Sequence, residues 1–211
     1  MKSNRLSNCT PDTSFQLALR SFEKRIPLEM SKMSEVEYDK QNMRFHVSFL
    51  GDEYFISHPE AEFHINSNRE GEIESYMKVL LLHYLLQNER VTETGNRIPF
   101  RNLPSGIAYE GAFLNRAIKP IEKTFSSDIG RFKESCKCLG GIEVDQGECA
   151  FLIPVLPLIS LLYMLWMSDN ELPGSANILF DSSVSKLLPT EDLAVLGELT
   201  TLKLISTPIQ I

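Results

Sequence analysis

The sequence predicts a single α+β domain, in which an antiparallel sheet built mainly from C-terminal strands packs against several helices. The last third of the chain holds short segments that are rich in β-branched and aromatic residues and are separated by turn formers. These segments are 142–144, 149–156, 160–167 and 176–180. Earlier in the chain, apolar residues recur at spacings of three and four, as on one face of a helix. Residues 1–12 are a polar lead, so the domain is expected to span residues 13–211.

The N-terminal part of the domain predicts a helical segment followed by a hairpin. From Thr13 to about Val36 the apolar spacing predicts a helix that is interrupted at Pro27, because proline lacks the backbone N–H and clashes with the preceding turn. Apolar and polar residues alternate over 43–49, and a second apolar run covers 54–56. This pattern is typical of a β-hairpin with one face in water.

The middle of the chain predicts three helices. Residues 72–88 have a broad apolar stripe and acidic residues in the first turn, where the helix dipole favours negative charge. Residues 109–125 are expected to stay helical through Pro120. Residues 126–128 (SSD) are expected to supply the N-cap of a third helix, which should run to about Leu139 and stop at the glycine pair 140–141.

Two further segments complete the prediction. Residues 92–105 are expected to form a loop that contains a short extended piece at Arg97–Arg101. A last helix is expected over 189–205, with Thr190 as its N-cap and with acidic residues in its first turn.

Residues 150–167 carry no charged side chain, and these 18 residues reach the lower limit for a membrane-spanning helix. Pro154 and Pro157 argue against a helix, and the β-branched and aromatic residues favour strands. We therefore expect two buried strands that meet near Pro157, and no membrane span.

Composition narrows the class of protein. The formal net charge is −7, which disfavours binding to nucleic acid phosphates or to an anionic membrane surface. Four cysteines are too few for a disulfide scaffold, and no apolar signal-peptide segment occurs at the N-terminus. A cytoplasmic protein is expected.

The cysteines and histidines give weak metal signals. Cys136 and Cys138 are separated by one residue, with Cys149 further on, and this spacing matches neither zinc nor iron–sulfur motifs. His58 and His64 flank a loop with two glutamates that could bind a metal, although solvated side chains are the commoner reading of such a loop. We therefore predict no metal and no iron–sulfur cofactor in this chain.

No common catalytic or phosphate-binding motif occurs in the sequence. The remaining candidates for ligand binding are acids and arginines at the ends of predicted elements. These candidates are Arg97, Arg101, Asp169, Glu171 and Asp181. Paired carboxylates in one loop, as at 169–171, can perform acid–base chemistry or hold a cation, but they more often cap backbone N–H groups.

The chain resembles the family named domain of unknown function 3786, which comprises bacterial and archaeal proteins, largely from anaerobes. The resemblance rests on an ordered series of segments. These are 80–86 (LLLHYLL), 98–106 (IPFRNLPSG), 150–157 (AFLIPVLP), 165–173 (LWMSDNELP), 178–181 (ILFD) and 188–193 (LPTEDL). The chain departs from the family pattern at Asn96–Arg97, where a tryptophan is expected, and at Ser168, where a glycine is expected.

The resemblance implies no activity. Some relatives carry an additional cysteine-rich iron–sulfur domain, which implies that any redox role of this chain needs a separate iron–sulfur protein as partner. The leading hypothesis is a binding or accessory domain whose ligand or partner meets the Arg97–Pro104 segment and the Asp169–Pro173 loop.

Two other functions are open at this point. One is an enzyme that uses Asp169 or Glu171, with Arg101 and His83, on a small anionic or carbonyl substrate. The other is a structural or oligomerisation module, which would expose a large apolar patch.

Overall fold

The computed structural model describes residues 11–66, 73–169 and 171–208. Helices and two antiparallel sheets alternate along the chain, which confirms the predicted α+β class. The first two helices are α1 (Pro11–Phe22) and α2 (Pro27–Ser34). Pro27 begins α2, where its missing N–H costs nothing, so the predicted interruption is confirmed.

The first sheet has the strand order β1-β2-β3-β4. Its strands are β1 (Glu37–Asp39), β2 (Arg44–Phe49), β3 (Asp52–Ser57) and β4 (Phe63–Ile65). The predicted hairpin is β2–β3. Its two turn residues, Leu50 and Gly51, have φ of 52° and 78°, as the tight primed turns of hairpins require.

The second sheet has the order β5-β9-β8-β7-β6 and contains all four predicted C-terminal strands. Its strands are β5 (Arg97–Pro99), β6 (Ile142–Val144), β7 (Cys149–Leu156), β8 (Ile159–Trp166) and β9 (Ser175–Asp181). The uncharged run at 150–167 thus forms two of the three inner strands, β7 and β8, on either side of Pro157. Within the described residues, no helix is long and apolar enough to cross a membrane.

The remaining helices cover the sheets. They are α3 (Ser75–Leu85), α4 (Gly106–Phe113), α5 (Lys119–Phe125), α6 (Ile129–Cys138) and α7 (Thr190–Ser206). A π-helical turn, 114–118, joins α4 to α5 just before Pro120. This widened turn lets the helix continue past a residue that has no N–H to donate. The N-cap of α6 comes from the expected stretch 126–128, where Asp128 accepts from the Arg131 N–H.

Three predicted helix starts were wrong. The helix expected from residue 109 begins three residues earlier, at Gly106. Helix α3 begins at Ser75, so its first turn contains no acidic residue. The N-cap of α7 is Pro189 and not Thr190. Thr190 is the first helical residue, and its Oγ1 donates instead to the Pro104 carbonyl at 2.6 Å, which attaches α7 to the segment before α4.

A single apolar core joins the two sheets. Tyr84 on α3 is fully buried between them, where its hydroxyl donates to the Ser34 carbonyl and accepts from the Leu158 N–H. The hairpin turn of the first sheet also reaches the second sheet directly, because the Leu50 N–H donates to the Val155 carbonyl at 3.2 Å. The ends of α2, α3 and β7 therefore meet at one place.

Candidate functional site

The structure does not bring the five candidate ligand-binding residues together. Arg97 and Asp181 are register partners of β5 and β9. Asp169 and Glu171 lie in the loop after β8, at the opposite end of this sheet, because β8 and β9 run antiparallel over their whole length. Arg101 lies on the surface and pairs with Glu110 at 3.6 Å. A ligand or partner that contacts both the Arg97–Pro104 segment and the Asp169–Pro173 loop would have to span the length of β9.

Asp169 is occupied within its own loop. Its Oδ1 accepts from the N–H groups of Leu172 at 2.7 Å and Glu171 at 2.8 Å. These backbone hydrogen bonds lower the pKa of Asp169 from its ordinary value. The capping role, which the sequence left as the commoner alternative, accounts for this carboxylate.

Asp181 is buried, with 1% of its surface exposed. Its carboxylate accepts from five donors, which are the N–H and Oγ1 of Thr94, the N–H of Gly95 and the N–H and Oγ of Ser183. Burial alone would raise the pKa of Asp181, but the hydrogen bonds, first those from Ser183 and Thr94, hold it far below its ordinary value. Asp181 thus fixes residues 94–95 to the end of β9.

Arg97 belongs to a neighbouring network that fixes Glu93. The Arg97 guanidinium donates to Glu93 Oε2 at 2.6 Å and to both the carbonyl and the Oγ of Ser160. Glu93 Oε1 accepts from the N–H and the Oγ of Ser160, each at 2.7 Å. Both oxygens of Glu93 are therefore engaged, and its charge is balanced by Arg97.

An open cavity of about 310 Å³ lies beside this network. Its apolar lining comes from the turn between β7 and β8, namely Pro154 and residues 156–159. Its polar lining comprises Glu35, Arg90, Thr92, Glu93 and Ser160. Glu35 and Arg90 form an ion pair at the edge of the cavity. A concave, mainly apolar surface with a few fixed polar groups is the usual form of a small-molecule site.

Sequence reasoning missed Glu35, Arg90 and Glu93. They lie in connections that carry no chemical motif, and only the fold brings Glu35 close to Arg90. The sequence did contain one signal, the spacing of four residues between Glu93 and Arg97. This spacing predicts a side-chain contact only within a helix, and residues 92–105 were expected to form a loop.

His83, the base of the enzymatic alternative, is half-buried on α3. Its Nδ1 lies 2.6 Å from Asp192 Oδ2 on α7. This hydrogen bond raises the pKa of His83, against the opposing effect of burial. Asp192 is at the start of α7. Ser168, beside Asp169, bonds to Ser126 just before α6, and Arg131 on α6 donates to the Ile205 carbonyl at the other end of α7. A helix of 17 residues is about 25 Å long. The set proposed for catalysis is not assembled.

The cysteines and loop histidines show no metal-ligand geometry in the part of the chain that the structure describes, where no three His, Cys, Asp or Glu residues could hold an ion. Cys136 and Cys149 are buried, which raises the pKa of both thiols. His58 Nε2 lies 3.1 Å from the Phe22 carbonyl, so this ring is tied to the end of α1. Cys9, the fourth cysteine, lies outside the described residues.

These features define an α+β protein with two antiparallel sheets on one core and an open cavity at the end of the larger sheet. The chain belongs to DUF3786, a domain of unknown function, whose family model matches residues 27–203. The resemblance read from the sequence is thereby confirmed. No curated protein and no solved structure matches the chain.

Proposed function

We propose that the protein is a cytoplasmic ligand-binding accessory domain, whose site is the cavity lined by Glu35, Arg90 and residues 156–160. The observation that carries this proposal is the combination of a concave apolar surface with polar groups that the Asp181 and Arg97 networks hold in place. Preformed polar groups reduce the entropy lost on binding. Cys136, Cys138 and Cys149 are thiols outside disulfides, which supports a reducing compartment.

The charge pattern favours a carboxylate-bearing ligand with an apolar body. Both oxygens of Glu93 accept hydrogen bonds from Ser160 or Arg97, and Arg97 balances its charge, so Glu93 offers little attraction to a cationic ligand. The Arg90 side chain is 62% exposed. Its ion pair with Glu35 uses only some of the N–H donors of the guanidinium. A carboxylate can share this guanidinium with Glu35 while the apolar body of the ligand covers residues 156–159.

Hexanoate is a suitable probe, followed by amide NMR shifts of the isotope-labelled protein. We expect saturable shifts at Thr92, Leu158 and Ile159. Arg90→Ala should weaken binding about tenfold, which corresponds to about 1.4 kcal/mol. Arg116→Ala is a matched control, because Arg116 pairs with Glu198 elsewhere and is 66% exposed.

The outcome of this pair of variants decides the proposal. Shifts confined to the three cavity residues, with normal binding in Arg116→Ala, support a site at Arg90. The proposal fails if no saturable shift occurs at Thr92, Leu158 or Ile159, or if both arginine variants lose affinity to the same extent.

A further inference from the structure

A second open cavity, of about 300 Å³, lies between the first sheet and the C-terminal part of α7. Its walls are mainly apolar and come from three elements. The β2–β3 hairpin supplies Phe49, Leu50 and Tyr54, α3 supplies Met77, and α7 supplies Leu199 and Leu202. None of these residues lines the cavity around Arg90.

Most of this wall is fixed by packing, but one of its apolar side chains is left in water. Phe49, Leu50 and Tyr54 are buried, and the rings of Phe49 and Tyr54 meet edge to face with their centroids 5.9 Å apart. Leu202, which lines the same cavity, is 49% exposed. Removing such a surface from water is favourable, so the cavity favours a ligand whose apolar body covers Leu202.

One ion pair provides the charged part of the cavity. Lys203 on α7 donates to Oδ2 of Asp52, the first residue of β3. The two side chains are 17% and 21% exposed, so both can be reached from the cavity that they line. They are the only charged residues in its described lining, and their charges balance.

Both members of this ion pair can form further hydrogen bonds. The Lys203 ammonium has three N–H donors, and within the described part of the chain only Asp52 accepts from it. The second carboxylate oxygen of Asp52, Oδ1, accepts from no group in that part of the chain. The cavity therefore presents free cationic donors next to a free anionic acceptor.

This pairing of charges selects against ligands with a single charge. An anion that approaches Lys203 is repelled by Asp52, and a cation that approaches Asp52 is repelled by Lys203. A zwitterion gains from both charges, because its carboxylate accepts from Lys203 while its ammonium donates to Asp52. An α-amino acid carries these two groups on one carbon, next to its side chain.

We propose that this cavity binds a free α-amino acid with a branched aliphatic side chain. The carboxylate bonds to Lys203 Nζ, the ammonium bonds to Asp52 Oδ1, and the side chain packs against Met77 and Leu202. The proposal does not depend on the carboxylate site at Arg90, since the two cavities have no lining residue in common.

The test compares leucine with two analogues that keep its aliphatic body but lose one charge. These are 4-methylpentanoate, which lacks the ammonium, and 3-methylbutan-1-amine, which lacks the carboxylate. Binding is followed in the full-length chain through the methyl NMR signals of Met77 and Leu202, which do not report binding at Arg90. We expect saturable shifts with leucine and an affinity about fivefold higher than that of either analogue, as one partly exposed ion pair gives.

Two variants assign each charge to its partner. Asp52→Ala removes the partner of the ammonium, so leucine should bind no better than 4-methylpentanoate. Lys203→Met removes the partner of the carboxylate, so leucine should bind no better than 3-methylbutan-1-amine. Lys133→Met is the matched control, because Lys133 pairs with Glu143 outside the cavity, and it should keep the fivefold preference. If a cavity variant does not fold, the comparison of the three ligands in the wild-type protein still decides.

Three results would overturn the proposal. One is the absence of saturable shifts at Met77 and Leu202 when leucine is added. Another is an affinity for either analogue that equals the affinity for leucine in the wild-type protein. The last is an unchanged preference for leucine in both Asp52→Ala and Lys203→Met, because the ion pair then takes no part in binding. None of these results bears on the binding of hexanoate, which is read at Thr92, Leu158 and Ile159.

Discussion

At the scale of single residues, the wall of the first cavity depends on one buried carboxylate. Asp181 ends β9, yet its hydrogen bonds to Thr94 and Gly95 position a loop that is distant in sequence. Thr92 and Glu93, which line the cavity, directly precede Thr94 in the chain. The residue therefore acts on the proposed site through the backbone and not by contact with a ligand.

Asp181→Asn should lower the free energy of unfolding by about 2–3 kcal/mol at neutral pH. The amide places two N–H donors among groups that are themselves donors. Because the pKa of Asp181 is lowered on folding, its stabilising effect is present above the unfolded pKa of about 4 and is lost as the pH falls through the folded pKa. The difference between wild type and variant should therefore shrink in acid. Urea denaturation measures it.

Asp169→Asn provides the matched control for that measurement. It is the same substitution in an exposed loop, where the carboxylate only caps two N–H groups of its own turn. The loss should be clearly smaller than for Asp181→Asn. Equal losses in the two variants would contradict the role assigned to Asp181.

The sequence identified Arg97 and Asp181 as candidates but not what they bind. The sequence pattern shows which charged residues lie at the ends of extended segments. Their partners here are Glu93, Thr94 and Ser160, and these become neighbours only when β5 pairs with β9 and β9 with β8. Such pairing is decided by the packing of the whole sheet, so site geometry could not follow from spacing.

At the scale of elements, helices α3 and α7 are joined by one ion pair between His83 and Asp192. The sequence predicted both helices, because each has a long apolar stripe, but it could not predict that they lie side by side. Strands β1 and β4 were missed altogether. Each has three residues and forms an edge of the first sheet, so its conformation comes from pairing with β2 or β3 and not from its own composition.

The ion pair gives a pH dependence with a defined sign. The pKa of His83 is raised on folding, so its contribution to stability is complete below the unfolded pKa of about 6.5 and is lost as the pH rises through the folded pKa. Asp192→Asn removes the partner. It should therefore cost about 1 kcal/mol more at about pH 5.5 than at about pH 8.5. Denaturation at both pH values and an NMR titration of the His83 ring measure this effect.

Glu198→Gln controls for other effects of removing an acid from α7. The partner of Glu198 is Arg116, an arginine and not a histidine. Its cost should be the same at both pH values. If Asp192→Asn costs the same free energy at both pH values, the protonation of His83 does not contribute to the stability of the α3–α7 contact.

At the scale of the whole molecule, the predicted α+β class is confirmed. The sequence predicted the N-terminal hairpin and the C-terminal strands, but it did not indicate that the hairpin forms the centre of a separate sheet. The two sheets nevertheless share one apolar core, and Tyr84 bonds to residues next to both of them. Two-residue alternation shows which side chains are inward, but not which strands become neighbours.

The shared core leads to the expectation that both sheets unfold in one transition. Trp166, the single tryptophan, reports the second sheet by fluorescence, and hydrogen exchange of residues 44–57 reports the first sheet. Both should give the same urea midpoint, as a single domain requires. Asp52→Asn, which weakens the ion pair of Asp52 with Lys203 on α7, should lower both midpoints equally, although Asp52 lies in the first sheet. If this variant shifts only the exchange of residues 44–57, the sheets are separate folding units and the domain expected for residues 13–211 must be divided.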